Sequence, residues 1–175
     1  MSLMYEMTVQ NFGPLLERLE HLIDKAEQHA ATRALDPRTL WEARLAPDMF
    51  TFARQVQAAC EHAKDAALRL AGREPPLFEI QPEDFVALRT RIHRTLDLVQ
   101  GVPAGEYEGA EQRQVARPLP NNRVLEMQGG AFLREWALPQ FYFHLVTAYD
   151  ILRHAGVEIG KRDFLTDVWG AVRTR

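Results

Sequence analysis

Four stretches of this chain repeat apolar residues at three- and four-residue steps, and that spacing puts each set on one face of a helix. In the first, Phe12, Leu15, Leu16, Leu19, Leu22, Ile23 and Ala26 form the stripe, with Thr8 as the expected N-cap. Gly13-Pro14 predicts an early break in it. Met1-Ser2-Leu3 reads as a vector-derived extension with no expected structure. The segment from 30 to 47 has no period and contains Asp36-Pro37 and Ala46-Pro47, so it reads as a connection.

The second helix is expected from Asp48 to just before Gly72, with Phe52, Val56, Ala59, Cys60, Ala63, Ala67 and Leu70 on its buried face. Its alanines let a neighbouring helix approach closely. The third opens at Gln81-Pro82-Glu83-Asp84, runs through Phe85, Leu88, Ile92, Thr95, Leu96 and Val99, and stops at Gly101. The fourth is expected over Ala131 to His154, kinked by Pro139 and closed by Gly156. Residues 101–130 carry no helical period. Gln112 to Arg117 and Arg123 to Met127 predict short strands around Pro118-Leu119-Pro120-Asn121-Asn122, an exposed hairpin. Ile159, Phe164, Leu165 and Trp169 equip the tail to dock on the bundle or on a partner. The expected fold class is all-α: a four-helix bundle over residues 1–175, a single domain, with a long irregular connection and a short β-hairpin between the third and fourth helices.

Composition narrows the chemistry. Ser2 is the only serine, which excludes a serine–histidine–acid hydrolase. With Cys60 as the one cysteine, zinc ribbons, CxxC redox sites and intrachain disulfides are excluded as well. No glycine-rich phosphate loop is present. A net charge of −3 gives no electrostatic reason to bind nucleic acid or an anionic membrane. Arg89, Arg91 and Arg94 on the third helix read as a solvated face. No apolar run reaches the roughly 20 residues that span a bilayer, and a cytoplasmic location is expected.

The fourth helix carries the most informative site signal. Gln140 and His144 are four residues apart and share a face. The second helix offers Gln55 and His62, also on one face, seven residues apart. Imidazole is a good ligand for zinc, nickel or iron, an amide oxygen a poorer one. The same four residues also suit a buried polar network, or a shared small-molecule pocket. Cys60 reads as a packed small side chain, His21, His29 and His93 as surface residues, and His154 as a helix-end cation.

Beyond these readings, the chain resembles the DinB-like four-helix-bundle superfamily, whose last helix carries a pattern of the form HxxxHxxQ continuing to LRxxG. Counting back from Leu152-Arg153-His154-Ala155-Gly156, the second histidine falls on His144. Gln140 takes the place of the first, and Thr147 that of the glutamine. The third family ligand is a histidine on the second helix, where His62 or Gln55 would stand. Ala46-Pro47-Asp48-Met49-Phe50, Ala137-Leu138-Pro139-Gln140-Phe141-Tyr142-Phe143-His144 and the run from Leu152 to Phe164 are similar to a bacterial branch of unknown function. The resemblance implies a bundle and a homodimer. In some members it implies a three-histidine nickel or zinc site serving thiol-dependent transferases or isomerases. Read onto this chain, it makes His144, His62, Gln140 and Gln55 candidate ligands for a divalent transition metal (nickel, zinc, iron or manganese). With one strong nitrogen ligand replaced, the favoured expectation is a dimeric module that binds a small ligand or a protein and retains a degenerate metal site. The competing expectation is a metal-dependent transferase, isomerase or hydrolase.

Overall fold

A computed structural model describes residues 2–78, 84–165, 168 and 171–173. Four long helices make the bundle: α1 (Leu3–Arg33), α3 (Phe52–Leu70), α4 (Phe85–Gln100) and α6 (Leu138–His154). Short helices α2 (Arg38–Trp41), α5 (Gly129–Ala131) and α7 (Lys161–Phe164) punctuate the connections, and strands β1 (Gln114–Leu119) and β2 (Arg123–Gln128) form an antiparallel hairpin. The all-α bundle expected from periodicity is the fold observed. None of the described helices is long and apolar enough to cross a membrane.

The start of α1 differs from expectation on two points. Ser2 caps it, its hydroxyl accepting from the Met4 amide at 3.2 Å. Thr8 lies buried inside the helix and donates to the Met4 carbonyl at 2.6 Å. The break expected at Gly13-Pro14 is absent, and the helix runs through Pro14. A proline in a helix interior costs about 3 kcal/mol. Phe12, Leu15, Leu16 and Leu19 are buried on both sides of it, and at roughly 1.5–3 kcal/mol for each large apolar side chain their burial exceeds that cost.

α3 occupies the centre of the bundle, packed against α6, α4 and α1. Every residue of its expected stripe is buried, Cys60 among them. It begins at Phe52 rather than near Asp48, because Ala46 and Met49 close a turn and Thr51 supplies the cap, accepting from the Arg54 amide at 3.3 Å. The connection before it contains α2, which buries Leu40 against the core.

α4 starts at Phe85, with Asp84 accepting from the Ala87 amide; the opening expected at Gln81, Pro82 and Glu83 lies outside the described residues. Of its arginines Arg94 is exposed as expected, Arg89 is half-buried, and Arg91 departs from the solvated face. Arg91 is buried and pairs with Glu61 at 3.0 Å, Arg89 reaches Asp24 at 2.8 Å on α1, and the Arg94 guanidinium lies 4.9 Å from the Phe78 ring centroid. Each long stem carries its head group to an acid or a ring on a neighbouring segment.

The hairpin is longer than expected and is docked rather than free. Its register pairs Val115 with Met127 and Arg117 with Leu125, around a turn in which Asn121 and Asn122 both take left-handed backbone angles, which asparagine tolerates. Val115 is buried, and Arg69 of α3 donates to the Ala116 carbonyl at 2.9 Å. At the hairpin's exit a Cβ on Gly129 would stand 2.0 Å from the Ala110 carbonyl oxygen, so no side chain fits there.

A π-helical turn, Phe132–Ala137, leads into α6. Helical backbone continues unbroken from Gly129 to His154, so the helix expected over 131–154 is present with this π turn inside it. Pro139 follows directly on that π turn, where the Leu138 amide bonds back to the Leu133 carbonyl, and its missing amide hydrogen removes one backbone bond at this point. Gly156, at φ +89°, ends α6 as expected, with the Val157 amide bonded back to Leu152. The tail returns over α1 and α6: Ile159 is buried, Phe164 meets Tyr149 edge-on at 5.7 Å, and Asp163 contacts His21 at 3.0 Å. Trp169 lies outside the described residues.

Candidate functional site

α3 and α6 cross so that Gln55, His62 and His144 meet. The His144 ring is buried at 8% exposure, its Nδ1 is 2.7 Å from Gln55 Oε1, and its ring lies nearly parallel to that of His62, centroids 5.4 Å apart and planes 12° apart. On its other side Phe50 adds a third near-parallel ring at 6.1 Å, while Phe143 meets His144 edge-on at 5.2 Å.

The amide network decides the imidazole tautomer. Gln55 is 1% exposed, and its Nε2 donates to the Phe50 carbonyl at 3.5 Å. A carbonyl only accepts, so Nε2 faces Phe50 and Oε1 faces His144. Nδ1 of His144 therefore carries the proton and donates it, which leaves Nε2 with its lone pair.

Both imidazoles are held neutral. Burial pushes His62 down to about 3, assisted by the charge of Arg117 and by His144. Burial likewise pushes His144 down to about 4, with Arg54 adding to it. Desolvation penalises the imidazolium, and a nearby guanidinium penalises it further.

Beyond His62 the site continues to the hairpin. Trp136, in the π turn, meets His62 edge-on at 6.4 Å, and the Arg117 guanidinium lies 5.6 Å from the Trp136 ring centroid. Arg117 Nε donates to Asp65 Oδ2 of α3 at 2.8 Å. The Trp136 indole nitrogen is buried and has no hydrogen-bond partner among the described residues.

Of the four residues singled out from sequence, three converge. Gln140 is half-buried one turn before His144 and bonds to none of the others. Its side chain is not part of the amide network. Phe50, Asp65 and Arg117 belong to the site and were not among the candidates. Arg117 had no signal, because helical spacing says nothing about which helix an adjoining strand covers.

The donor set does not fit a three-histidine metal centre. The two converging imidazoles and the single Gln55 amide supply no anionic donor, one imidazole nitrogen is already engaged by Gln55, and no group of three His, Cys, Asp or Glu side chains converges among the described residues. Zinc and nickel sites ordinarily draw on three strong protein ligands. What the arrangement offers instead is a row of flat neutral rings, one imidazole lone pair and a guanidinium.

Cys60 lies deeper in α3, where burial raises its thiol to about 12. At that value it is not a nucleophile.

The model of a family described as a domain of unknown function (DUF1993) matches residues 4–165. A crystal structure of a DinB family member protein from Shewanella denitrificans is 35% identical, covers 98% of this chain and 95% of its own, and superposes with a TM-score of 0.88. No curated protein matches the chain.

Proposed function

The chain belongs to the family described as a domain of unknown function (DUF1993) and shares the DinB bundle, and from that premise we propose that it is a small-ligand-binding module. Its His62–His144 pair stands where relatives of this fold would hold a metal, and the site here is degenerate. One observation carries the reading: the His144 Nδ1 proton is committed to a glutamine amide, and a single further imidazole is within reach. A ligand that donates a hydrogen bond to His144 Nε2 and packs beside these rings uses what remains.

We also propose that the module is a homodimer. Phe143 is 56% exposed and Val146 is 41% exposed on the outer face of α6, and Phe50 beside them is 47% exposed. Such a run of apolar side chains on one helix suits a second copy. Sedimentation at micromolar concentration should give a dimer, and Phe143→Glu a monomer with an unchanged circular-dichroism spectrum. A wild-type monomer removes this part of the reading.

The site itself is tested by elemental analysis of untagged protein before and after incubation with nickel, zinc, manganese or iron. A fragment screen is read in parallel on the His62, His144 and Trp136 side-chain resonances. Fragments that shift those resonances without metal uptake support the module. Near-stoichiometric metal that disappears in His144→Ala overturns it in favour of a metal-dependent enzyme.

A further inference from the structure

The ligand chemistry is written into the end of the site nearest the hairpin. Arg117 is 18% exposed, and its Nε is bonded to Asp65, but neither of its Nη groups has a protein acceptor among the described residues. A guanidinium has five N–H donors, so one outward edge of the fork is unused. Trp136, whose ring lies under that guanidinium, adds a buried indole N–H with no acceptor among the described residues. Around Trp136 the site has donors to spare and is short of acceptors.

We infer that Arg117 is the anion-recognising group of this site and that its ligand is a monocarboxylate with an apolar or aromatic body. The inference rests on the small-ligand reading of the same site and adds the class of ligand. The paired Nη donors match the two oxygens of a planar carboxylate. Asp65, at 2.8 Å from Nε, already offsets the single guanidinium charge, so a bound monoanion leaves the cluster at −1 and a dianion at −2. A phosphate dianion is disfavoured on that ground. His144 is already covered by His62, Phe50 and Phe143, so the flat or apolar remainder would lie along the half-buried sides of Trp136 and His62.

The probes are phenylacetate and its uncharged counterpart 2-phenylethanol, titrated into the full chain. Binding is read on the Trp136 indole resonance, assigned with Trp136→Phe, and on the His62 side chain. Phenylacetate should bind about tenfold more tightly, the ratio for one charge-assisted pair. Arg117→Gln should lower its affinity to that of the alcohol. Asp65→Asn should raise it, because the repelling charge is gone and the fork is free. An Arg117–Asp65 pair that only braces the hairpin would make both variants lose affinity and stability together, which overturns the inference. Equal affinity for the two probes overturns the carboxylate assignment and leaves the ligand reading standing. Silence from both probes overturns the inference, and takes the ligand reading with it only when the wider fragment screen is silent too.

Discussion

His144 and Gln55 stand 89 positions apart in the chain and meet across 2.7 Å, the imidazole donating from Nδ1 to the amide oxygen. The glutamine is itself aligned by the Phe50 carbonyl just before α3. A main-chain carbonyl thus sets a side-chain amide, and the amide sets a tautomer. Placing a histidine in this way is the usual work of a second residue behind a functional imidazole.

Replacing Gln55 tests that arrangement in two directions. Gln55→Ala leaves the buried Nδ1–H without an acceptor and should lower stability by roughly 1–3 kcal/mol, measured by urea denaturation. Gln55→Glu puts a carboxylate where the amide stood and should raise the His144 titration well above its present value of about 4. Nitrogen-detected titration of the imidazole gives the midpoint, and an unmoved midpoint would refute the contact.

Acid should weaken the fold through the two buried histidines. Both are depressed from an ordinary value of 6.5, to about 3 for His62 and about 4 for His144. Below pH 6.5 the unfolded chain takes up protons that the folded one refuses, so stability is complete above that pH. It falls as pH drops toward 4, by at most about 1.4 kcal/mol per unit for each histidine. The urea midpoint should therefore decline between pH 7 and pH 5, and the slope should shrink in His62→Gln. A slope unchanged by that substitution would assign the acid sensitivity elsewhere.

The Cys60 thiol should be inert in the folded protein. It is fully buried and raised to about 12, so the aromatic disulfide reagent used for thiol counting should react only at the rate of unfolding. Fast labelling in native buffer would contradict the packing of α3 against α4.

Gly129→Ala should be among the most damaging single-methyl changes in this protein. The added carbon meets the Ala110 carbonyl oxygen at 2.0 Å, a backbone atom that cannot rotate away. Overpacking of this kind costs about 1–3 kcal/mol. The loss should appear as a lower thermal midpoint, accompanied by exchange broadening in the β1 and β2 amides. A neutral effect would mean that the hairpin's exit is free to shift.

The bundle was legible because helical periodicity is a local property. The stripes at Phe52, Val56, Ala59 and Ala63, and at Leu88, Ile92, Leu96 and Val99, are buried as their spacing requires. So was the neighbourhood of the site, since residues four and seven apart on a helix share a face. Two kinds of feature were not legible. Pro14 reads locally as a break, yet burial on both sides outweighs it. Arg91 reads as solvated, yet Glu61, thirty residues earlier, draws it inward. Arg117 and Asp65 are a pair only because the hairpin folds back over α3, a long-range contact that no local pattern encodes.

The docking of β1 on α3 separates two things that a bundle usually fuses. The core is held by α1, α3, α4 and α6, while Arg117 reaches the site from a strand whose burial is slight. Because side chains alternate along a strand, the register that pairs Arg117 with Leu125 determines what faces Trp136. A substitution at Arg117 can exchange the group that faces Trp136 while buried Val115 and the helical core stay in place. Chains with this scaffold are thus free to inherit stability from one part of the molecule and vary the group beside Trp136 through another.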